Sequence, residues 1–468
     1  MSKLALASLF VTLISLFNVA GSFSQNTKVI SATGKRVDIR IGNELRKSDW
    51  NISPGIKPDV YDVYLPKAGK PVTFITDEDS ILFDVKPGDY YEFVVLLNGK
   101  DSAFTAIKGH LDVPRAQFFD DYKKSHTGKT FVEIPEVYEL MNVVMAITSE
   151  GKKDNGLIRK NNAYYSDVLK WFDQYRDEPI VGTVNAEISN HDNYHALKMD
   201  AYAFEFHNEK IVQSATYDRI GFSNTNNLRS FIPALQDFAV KTKFADFYAK
   251  HKSYYDGLII SYRDSIGVPE MQKWLTANFP SARYDSFKII FSPLVSQNQS
   301  AARFDLDGFK EAQAHVNFPF NEKNNTRTLS KKASLVQDGS IIFTELNHAF
   351  IDLESAKPQY TERIAKAFAN LATWNNPEKP AKYYNDPFAS FNEYMNWALV
   401  CLRYADYAPE NEQDQLIQQT EEMMVNSRGF VKFAEFDQFL VKLYKNRKKG
   451  QVLADLYPEI VGWFEENK

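Results

Sequence analysis

Glu345 and His348, in the segment FTELNHAFIDLES (Phe343 to Ser355), are the side chains whose types and spacing best suit chemistry. Residues three apart on a helix share a face, so this carboxylate and this imidazole would address one point in space. A histidine immediately before the glutamate would complete His-Glu-x-x-His. In that pattern two imidazoles bind zinc and the glutamate acts on the metal-bound water. Thr344 occupies the place of that histidine. Its hydroxyl does not ionise near neutral pH and offers a metal only a weak neutral oxygen. The tetrad alone is a weak signal: with 27 Glu and 8 His among 468 residues, chance supplies ~0.5 Glu-x-x-His pairs. An amphipathic helix with a hydrogen-bonded histidine is the better explanation of the tetrad taken alone.

A second segment adds to the first. NEYMNWALVCLRYAD (Asn392 to Asp406) carries Met395, Ala398, Leu399 and Leu402 at helical spacing and reads as a buried helix. Glu393 is expected in its first turn. There it would interact favourably with the helix dipole, and it would also stand where a zinc site with two histidines and a glutamate takes its third ligand, on a later helix.

TELNHAFI followed by EYMNWALVCLRY resembles the active-site half of a family of secreted bacterial zincin-like metallopeptidases of the His-Glu-x-x-His…Glu type, a domain of unknown function. YDSFKIIFSPLVSQNQSAARFDLDGFKEAQAHVNFPF (Tyr284 to Phe320), IPEVYELMNVVMAIT (Ile134 to Thr148) and YYSDVLKWF (Tyr164 to Phe172) resemble it too. The likeness covers most of the chain beyond about residue 130 and is most specific over 284–404. It implies zinc as cofactor, Glu345 as general base, His348 as second zinc ligand and Glu393 as third. Thr344 matches the first ligand in position only.

Other groups are candidates to complete or assist such a site. His315, in KEAQAHVNF, lies in a segment that alternates like an edge strand, and zincin folds run a strand beside the site helix; it is the one low-weight replacement ligand. Asp352 falls on the His348 face and would serve to orient the imidazole. Arg403 or Tyr404 would stabilise an oxyanion. A di-iron bundle needs a second Glu-x-x-His on a facing helix, and none is present.

The elements that must position these residues imply an α+β chain: a β-sandwich-like N-terminal domain followed by a mostly helical zincin-like domain. Residues 1–24 (Lys3, a long apolar run, then small residues) read as a secretory signal peptide cleaved after Ser24. Residues 26–125 hold short β-branched and aromatic runs (VYDVYL, VTFIT, ILFDV, YYEFVVLL) separated by turn residues such as Asn98-Gly99. Residues 126–280 read as helices, broken near Gly257 and Gly267, with a hairpin turning at Asn208-Glu209. Residues 281–468 supply strands, the site helix and a run of C-terminal helices. No stretch beyond the signal is long and apolar enough to span a membrane.

Removing Lys3 takes the net charge from −5 to −6. With no basic cluster, that balance argues against nucleic-acid binding. The single cysteine, Cys401, excludes an internal disulfide, which suits a secreted or periplasmic bacterial protein. The aromatic content falls mostly at core-like positions rather than marking a sugar platform. Two functions follow: a zinc-dependent peptidase whose first ligand is supplied otherwise, or a pseudoprotease that binds peptide or protein, or acts as a scaffold, without cutting.

Overall fold

The computed structural model describes residues 28–320 and 329–468; the expected signal peptide lies outside the described residues. The fold is α+β, and the chain divides into two compact units, one ending at Val113 and the other beginning at Pro114.

The first unit is built from β1 (Lys28–Ala32), β2 (Arg36–Ile41), β3 (Glu44–Asn51), β4 (Asp59–Leu65), β5 (Lys70–Ile75), β6 (Ser80–Val85), β7 (Tyr90–Leu97) and β8 (Asp101–Leu111). They form two four-stranded sheets, ordered β1-β7-β8-β4 and β3-β2-β5-β6. Strict alternation, as in Ile81, Phe83 and Val85, sends every second side chain into one core. Phe74 and Phe93, from opposite sheets, meet edge to face 5.0 Å apart. Asn98 and Gly99 turn β7 into β8 with φ of 51° and 65°, a left-handed conformation suited to those two residue types. The strands stop at Leu111 rather than running to 125. Ala116 and Phe118 belong to the larger core of the second unit.

In the second unit β9 (Lys129–Glu133), the hairpin β10 (Phe204–His207) and β11 (Lys210–Gln213), and β12 (Ser286–Phe291), β13 (Ser300–Leu306) and β14 (Phe309–Val316) accompany the helices. A four-stranded sheet runs β13-β14-β12-β9, with β13 antiparallel at one edge and the other three parallel. The helix Ser340–Ser355, carrying Thr344, Glu345 and His348, packs on β14 and β13 and against the 21-residue helix Pro387–Tyr407. Phe287 and Ala312 are register partners and share a sheet face. Phe287 stacks on Phe350 of the site helix. Small Ala312 and Ala314 therefore face the helix and let it lie close to the sheet.

That parity decides the fate of His315. It shares the opposite face with Glu311 and Gln313, is fully buried, and packs against Tyr138 and Tyr202. It also lies on an inner strand, not on an edge strand as its alternation suggested. Two further boundaries differ from the sequence reading. The helix Phe244–Ile260 passes through Gly257 unbroken; the breaks fall at Lys243, whose φ is 55°, and, as expected, at Gly267, whose φ is 78°. The helix bearing Glu393 begins at Pro387, so Glu393 lies in its second turn, beyond a cap in which Asp386 accepts from the backbone N–H of Phe388 (2.8 Å) and Ala389 (3.2 Å).

Because Asp386 satisfies two otherwise unpaired donors, Asp386→Ala is expected to cost about 1 kcal/mol, read as a lowered midpoint in urea unfolding, while Asp386→Ser should retain most of the stability.

Candidate functional site

Glu345, His348 and Glu393, which the sequence singled out, line one cleft of about 320 Å³, together with Thr344, Asn396, Trp397, Tyr384, Arg428 and the loop Gln297–Gln299. The long helix supplies Glu393, Asn396 and Trp397 on one face, at spacings of three and four. Glu393 is almost fully buried. Its Oε1 accepts from Trp397 Nε1 (3.0 Å) and Arg428 Nη1 (2.6 Å), and its Oε2 from Asn396 Nδ2 (3.2 Å). Burial opposes the charge on Glu393, but Arg428, His348 and Asn396 outweigh it and hold the carboxyl below its ordinary pKa. Arg428 also donates to the Tyr384 hydroxyl (2.7 Å) and lies over the rings of Tyr384, Trp397 and Phe430.

His348 is half-buried, with Nε2 3.0 Å from Asn396 Nδ2 and 3.9 Å from Glu393 Oε2. Burial works against the charged ring, yet the carboxylates of Asp352, Glu345 and Glu393 prevail and push its pKa up to about 9. The Asn396 contact, by contrast, makes Nε2 an acceptor. Protonation therefore requires the Asn396 carboxamide to turn its Nδ2 away from the ring. Asp352 is on the expected side of His348, but Nδ1 is 3.9 Å from its Oδ1, too long for a hydrogen bond. Asn392 (2.8 Å) and Arg303 (2.7 Å) hold that carboxylate more closely. Glu345 faces the cleft half-buried, and burial raises its pKa, opposed by His348.

The donor set does not fit zinc. Thr344 is buried and its hydroxyl donates to Ile341 O at 2.7 Å, so its oxygen is bound into its own helix. Both oxygens of Glu393 are engaged, one by a guanidinium, and a fixed cation at that oxygen repels a second cation. His315 is on the far side of the sheet, its Nε2 3.1 Å from Gln313 Oε1. Among the described residues no group of three or more His, Cys, Asp or Glu is arranged to hold a metal. Arg403 and Tyr404 do not line the cleft: Arg403 Nη1 donates to Val336 O (2.6 Å), and Tyr404 pairs with the Ser340 hydroxyl (2.7 Å).

The sequence reading missed Arg428, Tyr384, Asn396, Trp397, His195 and the Gln297–Gln299 loop. Asn396 and Trp397 were within reach of it, since they follow Glu393 at helical spacing; the others come from distant segments with no local motif. It also missed Lys198, a fully buried lysine that donates to Asn298 O at the cleft wall. Burial lowers its pKa to about 7, against the attraction of Glu345. His195 lines the cleft, bonded to Ser300 Oγ (2.8 Å), and burial takes its pKa down to about 4.

Comparison with protein-family models, with curated proteins and with solved structures returns no match.

Between its unfolded value near 10.4 and about 7, Lys198 binds fewer protons folded than unfolded, so its contribution to stability falls as pH drops through that window. Lys198→Met is expected to stabilise the chain by on the order of 2 kcal/mol at pH 7 and by much less at pH 10.5. Denaturant titrations at the two pH values measure this, and equal effects at both would show that the amine is not held uncharged.

Proposed function

We propose that this cleft belongs to a zincin-like fold without the metal, and that the chain binds peptide or protein there rather than hydrolysing it. The observation that carries this reading is Arg428 seated on Glu393: the anion that would be the third zinc ligand is already neutralised by a protein cation. The zincin-like frame is supported by the order of parts. An antiparallel edge strand lies beside the site helix, and a later helix brings a glutamate to the same cleft.

A peptide ligand is supported by β13. It pairs only with β14 among the described strands, and the Gln297–Gln299 loop that leads into it lines the cleft. An unpaired strand edge offers main-chain donors and acceptors to an extended chain. Glu345 and His348 remain at the cleft surface, where they can bond to such a ligand. No water-activating step is assigned to Glu345, because the residues that would hold a metal beside it are committed elsewhere.

Zinc content after dialysis against a weak chelator, read by elemental mass spectrometry, tests this. The wild-type chain should retain essentially none. Thr344→His should gain little, because Arg428 still holds Glu393, whereas Thr344→His combined with Arg428→Met should approach one zinc per chain. Stoichiometric zinc in the wild type, with peptide hydrolysis abolished by Glu345→Gln, would overturn the metal-free reading.

A further inference from the structure

We infer that a second cavity, built from other segments than the cleft, is a binding site for a small organic cation, an amine carried on an aromatic or alkyl body. It shares no lining residue with the cleft and does not depend on what binds there.

The cavity holds about 450 Å³, within the roughly 300–1,000 Å³ common for small-molecule sites. Three stretches distant in the chain build it. They are the start of the helix Glu136–Ile147, the β10–β11 hairpin, and the junction of the helices Ile232–Thr242 and Phe244–Ile260. Its apolar surface comes from Phe206, Phe244, Ala239 and Val240. The Phe206 and Phe244 rings stack 6.2 Å apart, with planes 20° from parallel. Phe244 and Ala239 are buried and root that surface in the core, whereas Phe206 is half-buried and Val240 is 66% exposed. Apolar surface left open on the wall of a concavity is stabilised when a ligand covers it.

The charge around this surface is one-sided. Glu136, Glu209 and Asp246 line the cavity, and among its described lining residues Lys243 is the one cation. Three carboxylates against one ammonium leave two negative charges in excess. Glu136 is exposed at the rim, yet the protein packed about its carboxyl raises its pKa, through burial alone and with no cation opposing it. A bound ammonium would reverse that shift, and the ring faces beside it would attract the same charge. A neutral or anionic ligand of equal shape would gain only the apolar contact.

The walls are also pre-set. Gln236 Nε2 donates to Glu209 O (3.0 Å), and Gln236 Oε1 accepts from the Ile211 N–H (2.6 Å), which ties the hairpin to the helix Ile232–Thr242. Lys243 adopts its left-handed conformation at the helix junction, and its carbonyl accepts from the N–H of Asp246 (3.1 Å) and Phe247 (3.2 Å). Asp246 is thereby held at the cavity. Walls fixed in this way need little further ordering to receive a ligand.

The experiment uses the full chain expressed without residues 1–24, with tryptamine as the probe. Its neutral counterpart tryptophol and its anionic counterpart indole-3-acetate are titrated alongside at pH 7, by ligand-observed NMR. Saturable tryptamine binding is expected, about tenfold tighter than that of tryptophol, equivalent to ~1.4 kcal/mol, with indole-3-acetate weaker still. In Glu136→Gln/Glu209→Gln the preference for tryptamine over tryptophol should fall towards unity. Val240→Trp should fill the cavity and abolish tryptamine binding.

Absence of saturable tryptamine binding overturns the inference. Equal binding of tryptophol does so too, because it would make the site purely apolar, as does tighter binding of indole-3-acetate. A tryptamine affinity that either variant leaves unchanged would place the amine elsewhere and overturn it as well. All three substituted positions are exposed, and the comparison of the three ligands on the wild-type chain stands even if a variant does not fold.

Discussion

The buried pair of Glu393 and Arg428 joins the candidate site to the packing of the helices behind it. Glu393 sits in the second turn of the helix Pro387–Tyr407, and Arg428 closes the π-helical stretch Met423–Arg428. Moving either ion from water into this interior costs several kcal/mol, and only the opposite charge and fully used hydrogen bonds offset that cost. Trp397, Asn396 and Tyr384 supply those bonds, and three aromatic faces surround the guanidinium. The wider turn of a π-helix changes the direction in which its last side chain leaves. Gly429 follows with φ of 88°, where a Cβ would come within 2.5 Å of the Lys379 Cβ. Only glycine makes that exit without displacing Lys379, so the placement of Arg428 depends on its neighbour.

The sheet imposes the second constraint. A strand offers alternate residues to opposite faces, and β14 uses that alternation to keep two chemistries apart. Ala312 and Ala314 serve the site helix. On the other face Glu311 accepts from Gln313 and from the hydroxyls of Tyr122 and Tyr217, and Gln313 in turn meets His315. The imidazole closest in sequence to the candidate site is thereby held in a separate polar layer, its pKa driven down by burial and by the nearby cations Lys198, Arg115 and Lys288.

Local patterns in the sequence were sufficient for most elements and for three of the site residues. Alternation located β4 to β7, and the Asn208-Glu209 turn was placed correctly because both residues adopt positive φ there. Helical spacing brought Glu345 and His348 to one face. Gly257 was misread as a break because glycine weakens a helix without ending it; Lys243, with nothing unusual in its residue type, takes the left-handed conformation instead. His315 was misassigned because periodicity shows that a strand has two faces and not which of them meets a given helix. Arg428, Tyr384 and Lys198 had no local signal at all. Their roles come from packing between segments far apart in the chain, and a buried lysine looks the same in sequence as a solvated one.

The charge arrangement in the cleft turns on the cation beside each carboxylate. Glu345 and Glu393 share one partly desolvated cleft, and two carboxylates close to each other cannot both stay ionised without cations beside them. A divalent metal bound through Glu393 is one way to supply that charge. Here Arg428 supplies it on Glu393, and His348, raised in pKa by the same carboxylates, supplies it beside Glu345. Unit charges of like sign at 4 Å repel by about 4 kcal/mol at an effective dielectric constant of 20, so a guanidinium at 2.6 Å from Glu393 Oε1 and a dication on the same carboxylate are competing solutions rather than cooperating ones. With Thr344 turned back onto its own helix, its hydroxyl does not offset that repulsion. In the proposed metal-free reading, a covalently attached cation balances the Glu393 carboxylate where a coordinated ion would otherwise do so. Unlike a metal, that attached cation leaves no open coordination position at which water could be activated.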